Sequence, residues 1–176
     1  GLLLKDSFDA IAVAWVVGLG FLVGGIAIWL IETFNSAPKP LVRGDRIDSL
    51  SLKKSLMVGL YQMVAIIPGV SRSGATIMGG LLSGMDRVTA TAFSFYLSIP
   101  IIFLAGGYQL YSGRDEFDTI SGGGPALLVG TVTAFIVALI TIKWLLKFVS
   151  KHDYKIFAYY RIIVGIFILL FLFINQ

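Results

Sequence analysis

The 176-residue chain is 57% apolar by residue type, only 14% charged, and carries a formal net charge of +4. Soluble domains hold about 25% charged residues, and one this apolar would leave large greasy patches in water, so the composition points to a membrane. Cysteine is absent and His152 is the single histidine, which excludes disulfides, thiolate chemistry and a multi-histidine metal site within the chain. The basic charge fits loops facing an anionic leaflet; without basic-aromatic patches no nucleic-acid partner is expected.

Four stretches are long enough to cross a hydrocarbon core, which takes about 20 apolar residues: 10–34, 88–111, 126–148 and 156–174. No secretory signal is visible ahead of the first, because Lys5 is offset by Asp6 and Asp9. A chain starting Gly-Leu-Leu-Leu without Met is expected to be part of a longer one. Segment 35–54 is a linker, and 55–85 fits no simple span: an apolar run, Leu56–Ile67, breaks at Pro68-Gly69 before the polar knot Ser71-Arg72-Ser73-Gly74 and a second apolar run, Ala75–Met85. Proline removes a backbone donor and glycine loosens the chain, so a helix must stop here. Counted from Lys54 and from Gly74, the two pieces are about 21 Å and about 18 Å long at 1.5 Å per residue, too short to cross singly.

Loop charge chooses between a broken span and a re-entrant hairpin. The linker holds Lys39, Arg43, Arg46, Lys53 and Lys54 against Asp45 and Asp48, and the turn Lys147–Lys155 holds three lysines; both are expected to be cytoplasmic. The loop Ser112–Pro125 sets Arg114 against Asp115, Glu116 and Asp118 and is expected outside. One crossing by 88–111 already connects inside to outside, so 55–85 contributes an even number and is re-entrant. The fold class is an all-α integral membrane protein, a single membrane domain of four transmembrane helices plus one re-entrant hairpin.

Other intramembrane features have structural readings. Gly20-x-x-x-Gly24 and Gly80-x-x-x-Gly84 suit close helix packing. Trp144, Tyr154, Tyr159 and Tyr160 fit an interfacial aromatic belt, and Lys143 and Arg161 lie near enough to span ends to snorkel. Glu32 is expected to reach water, and Asp86 to cap the following helix.

Arg72 is different. At a hairpin tip inside a bilayer a buried arginine costs at least about 2.5–3.5 kcal/mol unless paired or hydrated. It stands beside the hydroxyls of Ser71 and Ser73 and beside Gly74, where a second half-helix begins with free N–H groups, and Thr76 follows in the first turn. A helix N-terminus attracts anions, phosphate above all. The segment therefore predicts an intramembrane phosphate cradle. Hydrolysis also needs an acid or base, and none lies nearby in sequence. The type 2 phosphatidic acid phosphatase pattern is excluded, because Met78 stands where its histidine would be.

The run Pro68-Gly69-Val70-Ser71-Arg72-Ser73-Gly74-Ala75-Thr76-Ile77 resembles the signature of the bacterial undecaprenyl pyrophosphate phosphatase, or bacitracin-resistance, family. So do Phe93-Ser94-Phe95 with Pro100, Thr133-Ala134-Phe135 with Lys143, and Phe157-Ala158-x-Tyr160-Arg161. The resemblance implies an enzyme of the bacterial inner membrane that hydrolyses undecaprenyl diphosphate to undecaprenyl phosphate and phosphate, recycling the cell-wall lipid carrier. It implies two inverted repeats, each with a re-entrant hairpin, and a site facing the periplasm. The family's earlier motif, a pair of glutamates followed by P-V-S-S-T-G-H, has no counterpart here; in its register Gln62, Ile66 and Ala75 replace the two glutamates and the histidine. This chain therefore resembles the C-terminal half, with the N-terminal repeat as its missing partner.

By this resemblance Arg72 is the catalytic clamp, while Ser71, Ser73, Gly74, Thr76 and Gln62 bind the diphosphate. A divalent cation, magnesium or calcium, is a candidate cofactor with ligands outside this chain. Membrane lipids and a second copy of the chain are further candidate partners. Two rival readings are a carrier or flippase for a lipid phosphate or other anion, since broken half-helices also form transporter sites, and a non-catalytic membrane module.

Overall fold

The computed structural model describes residues 14–35, 47, 50–114 and 123–174. Residues 10–13 of the first predicted span, most of the predicted linker and the acidic stretch 115–118 lie outside the described residues. The described elements are all helical: α1 (Ala14–Phe34), α2 (Leu52–Gln62), a 3₁₀ turn (Met63–Ile66), α3 (Arg72–Leu82), α4 (Arg87–Ser112), α5 (Gly123–Val149) and α6 (Lys155–Ile174). Among them α1, α4, α5 and α6 are long and apolar enough to cross a membrane.

The break at Pro68-Gly69 is where the sequence puts it. Gly69 has φ +85°, a left-handed conformation that glycine adopts without a Cβ penalty, and the Val70 N–H closes the turn on the Ile67 carbonyl at 3.1 Å. The arms α2 and α3 then lie antiparallel. At one level a Cβ on Gly79 would sit 2.6 Å from the Tyr61 side chain; at the base the Lys54 ammonium donates to the Gly84 carbonyl at 3.3 Å. One face of α3 thus meets α2 at Gly79, while the next residue, Gly80, meets Ala90 of α4.

Gly84 corrects the packing expectation. Nothing lies within 4 Å of where its Cβ would be, and its φ is +76°. Met85 N–H bonds the Gly80 carbonyl and Gly84 N–H bonds the Leu81 carbonyl, both at 3.0 Å. That pair is the Schellman pattern, which ends α3 through a left-handed residue. The chain then starts α4 at once, with Asp86 Oδ1 accepting from the Val88 and Thr89 N–H groups at 2.9 and 3.0 Å, as expected of a cap.

Helices α1 and α6 form the closest long contact. They run antiparallel with Gly18 against Leu169, Gly25 against the Ala158 carbonyl and Gly165 against the Leu22 backbone, so small residues let the backbones approach. The hairpin tip is pressed onto the same helix: a Cβ on Gly20 would lie 2.5 Å from the Pro68 carbonyl oxygen. Neither backbone can give way. Gly20→Ala is expected to lose about 1–3 kcal/mol through overpacking, whereas Gly59→Ala in α2, with open space around it, should gain up to about 1 kcal/mol of helix propensity. Unfolding midpoints of both variants in one detergent check the contrast; equal shifts would contradict it.

A small core ties the hairpin base to the neighbouring helix ends: Ile28 of α1, Val58, Ile77, Met78 and Leu81 of the arms, then Val149, Tyr154 and Ala158. Polar groups are buried at the same end. Glu32, expected to reach water, is 7% exposed; its carboxylate pairs with Arg87 (Nη2–Oε2 2.5 Å) and accepts from the Tyr154 N–H at 3.1 Å. Water is therefore replaced by partners from two other parts of the chain.

Tyr154 is likewise buried rather than part of an exposed belt, and its hydroxyl shares a hydrogen bond with Thr91. Burial pushes its phenol up to about 12; the Thr91 hydrogen bond opposes this and the Glu32 charge adds to it. The folded protein then keeps a proton that the unfolded chain releases near pH 10. The associated stability is complete below that pH and lost as pH rises through about 12. In a phenolate absorbance titration of the seven tyrosines, Tyr154→Phe should remove the latest-ionising component; its persistence would contradict the assignment.

Candidate functional site

The N-terminus of α3 is built by Ser71. Its backbone is extended (φ −69°, ψ 122°) and its Oγ accepts from the Gly74 N–H at 3.1 Å, as an N-cap does. The Ser73 Oγ lies 3.2 Å from the Ser71 Oγ, and the Ala75 N–H bonds the Ser71 carbonyl at 2.9 Å. Helical geometry leaves the Arg72 and Ser73 N–H groups without intrahelical acceptors at the positive end of the dipole.

The six residues singled out in the sequence divide over two sides of this terminus. Gln62, Arg72, Ser73 and Thr76 line a cavity of about 470 Å³ between the hairpin, α4 and α5, together with Ser94, Ser98 and Thr141. Arg72 is exposed there, and among the described residues no carboxylate pairs with it: Glu32 is paired with Arg87 and Asp153 with Lys155. Thr76 is 2% exposed. Its hydroxyl donates toward the Arg72 and Ser73 carbonyls at 3.0 and 3.1 Å and shares a 2.6 Å hydrogen bond with the Ser94 hydroxyl. Its hydroxyl is thus committed to holding α3 against α4.

Ser71 and Gly74 face the other way. With Ser73 they border a cavity of about 240 Å³ that also receives Tyr160 and Arg161 of α6. Arg161 does not snorkel; it is 8% exposed. Its Nη2 donates to the Gly69 carbonyl at 2.7 Å and to the Gly20 carbonyl at 3.0 Å, and the guanidinium lies 4.7 Å over the Phe21 ring. The glycines of the first predicted packing motif make this seat. Gly20 admits the hairpin turn, and a Cβ on Gly24 would come 2.6 Å from Arg161 Nη2.

Across residues 1–167 the chain matches the family model described as bacitracin resistance protein BacA. The chain belongs to the BacA family. It is 41% identical over 170 residues to an undecaprenyl-diphosphatase of Methylobacillus flagellatus, covering 96% of this chain and 61% of that protein. It is 43% identical over 171 residues to undecaprenyl-diphosphatase 1 of Burkholderia ambifaria, covering 97% and 61%. A third relative, an undecaprenyl-diphosphatase of Nitrosospira multiformis, is 45% identical over 157 residues, 88% of this chain and 54% of that protein. The chain thus spans about three fifths of the length of these curated relatives.

In this BacA-family chain two further residues belong beside the tip and were not singled out as site residues from sequence. Ser94 sits on the next helix, α4, and Arg161 on α6, far along the chain. A signal for the first is present: Arg87, Thr91, Ser94 and Ser98 recur on α4 at spacings of four, three and four, which is one helical face, and along it Arg87 meets Glu32 of α1, Thr91 meets Tyr154 and Ser94 meets Thr76 of the hairpin. Among the described residues no three His, Cys, Asp or Glu side chains converge, so these residues do not fit a divalent-cation cage.

Proposed function

We propose that this chain is the phosphate-holding part of an undecaprenyl-diphosphate phosphatase, releasing phosphate and undecaprenyl phosphate and so returning the lipid carrier to cell-wall synthesis. The observation that carries the reading is Arg72: a cation with no carboxylate partner among the described residues, at a capped helix N-terminus, bordering a cavity with polar walls. The names of the relatives support the substrate class.

In this reading the hairpin is re-entrant, it belongs to the second of two inverted repeats, and its tip faces the periplasm of the inner membrane. The Arg72 guanidinium takes two oxygens of the terminal phosphate, a geometry its planar fork suits. The free N–H groups of Arg72 and Ser73 meet the same group, with the Ser73 hydroxyl and the Gln62 amide at the cavity wall. Ser71 and Gly74 act by shaping the terminus, and Thr76 by fixing it to Ser94.

As phosphorus passes to water oxygen and the bridging P–O bond breaks, charge grows on the phosphoryl and bridging oxygens, and a fixed cation lowers that barrier. The leaving undecaprenyl phosphate takes up the negative charge, and water surrenders a proton to a base. That base, and the ligands of any magnesium or calcium ion, come from outside the described residues.

Phosphate release from undecaprenyl diphosphate in detergent tests the reading, with the chain alone and co-expressed with the N-terminal portion of a BacA-family relative. Release only from the combination is expected. Release from the chain alone would place nucleophile and base among its own hydroxyls. Transbilayer movement of intact substrate without release would mean a carrier, and silence in every arm a non-catalytic module.

A further inference from the structure

We infer that Arg161 is a positioning residue: by binding the carbonyl of Gly69 it fixes the hairpin turn on α1, and with it the direction in which Ser71, Arg72 and the α3 terminus face. The inference rests on the phosphatase reading for its functional consequence, though not for its geometry.

Close packing of α1 and α6 does not need an arginine. Gly18, Gly25 and Gly165 already bring those backbones together, and an apolar side chain would fill the space without burying a charge. Burying a guanidinium is costly unless its donors are met, and Arg161 Nε is buried with no hydrogen-bond partner. What the guanidinium alone supplies is one nitrogen bonded to carbonyls of two elements, Gly20 in α1 and Gly69 in the hairpin turn.

The location of the second contact matters. Gly69 O belongs to the peptide that precedes Val70, and Val70 precedes the N-cap Ser71. The Val70 N–H of that same peptide bonds Ile67, so both polar ends of one peptide plane are held, two residues ahead of the cap. Rotation of that plane is the simplest motion that would swing the start of α3, and Arg161 opposes it. Gly20 and Gly24 leave the room that the guanidinium and the turn occupy, and Phe21 covers the guanidinium face.

These 176 residues hold no cysteine, so within them spin labels attach only where cysteine is introduced, and any cysteine elsewhere in the full-length protein is first replaced by serine. In the full-length protein, one pair at Leu19→Cys and Ile67→Cys reads the tip against α1; a second at Val23→Cys and Ile163→Cys reads α1 against α6. All four positions are exposed enough to carry a label. Arg161→Gln should broaden the first distance distribution, leave the second narrow, and lower kcat for phosphate release about 10–100-fold, since a small misplacement can cost that much. Arg161→Lys should restore part of both.

Broadening of both pairs would reduce Arg161 to a helix-packing residue and overturn the inference. So would an unmoved tip with lost turnover, which would put Arg161 on the ligand itself, or a displaced tip with full turnover. A parent protein that releases no phosphate would defeat the phosphatase reading instead, and the distance pairs would still decide what Arg161 holds.

Discussion

Arg72→Lys in the full-length protein is expected to lower turnover of undecaprenyl diphosphate about 10²–10³-fold, the usual effect of removing one preorganised charge-stabilising donor. Lysine keeps the charge, so a site that needed only a nearby cation would lose little. Arginine differs in presenting a planar fork to two phosphate oxygens at once. The structure gives that fork room: Arg72 is exposed beside Ser73 and Gln62 and no carboxylate among the described residues competes for it. Steady-state kinetics of the lysine variant, with circular dichroism to confirm folding, decide the matter. Near-normal kcat would remove Arg72 from the chemistry.

The largest expected effect on stability lies at the other end of the hairpin. The Glu32 side chain is fully buried in its pair with Arg87, whose side chain is 27% exposed. Removing one partner of such a pair leaves the other uncompensated and costs about 3–5 kcal/mol, whereas replacing both with apolar residues of similar volume is often close to neutral. Arg87→Met is therefore expected to be strongly destabilised, with the Glu32→Leu/Arg87→Met double variant recovering most of the loss. Tyr154 tempers the recovery, because its N–H loses its Glu32 acceptor. Unfolding in mixed micelles measures both variants, and a double variant no better than the single would show that the pair does more than neutralise itself.

What sequence could and could not reveal follows from the range of the forces. The stop at Pro68-Gly69, the start of α3 after Ser71 and the Asp86 cap are local effects of backbone donors and side-chain acceptors within a few residues, and all three lie where the pattern places them. The spans of α4, α5 and α6 agree to within three residues because apolar length is also local. Glu32 and Arg161 depart from the sequence expectation for the opposite reason. Each sits near the end of an apolar run, where water is the default partner, and each is instead paired far along the chain: Glu32 with Arg87 and Tyr154, Arg161 with Gly20 and Gly69. Gly84 departs from the packing expectation because a four-residue glycine spacing describes both a packing face and a helix end, and only φ distinguishes them.

The same contrast explains the division of the predicted site. Five residues close together on a short motif, with Gln62 from the preceding arm, suggest one pocket, but successive positions at a helix N-terminus point in different directions, about 100° apart. Arg72 and Thr76, four apart, share one side with Gln62; Ser71 and Gly74, three apart, share another with Arg161. The phosphate reading therefore concentrates on the Arg72 side, and the Ser71 side becomes the support that aims it.

Binding at that terminus is the central claim, and phosphorus NMR of farnesyl diphosphate, a short soluble isoprenyl diphosphate, tests it most directly. Titrated with the detergent-solubilised chain, the diphosphate resonances should broaden and shift for the parent and for Gly59→Ala, and remain sharp for Arg72→Gln. Equal broadening by the parent and Arg72→Gln would contradict the account, because the phosphate would then be held somewhere other than the hairpin tip.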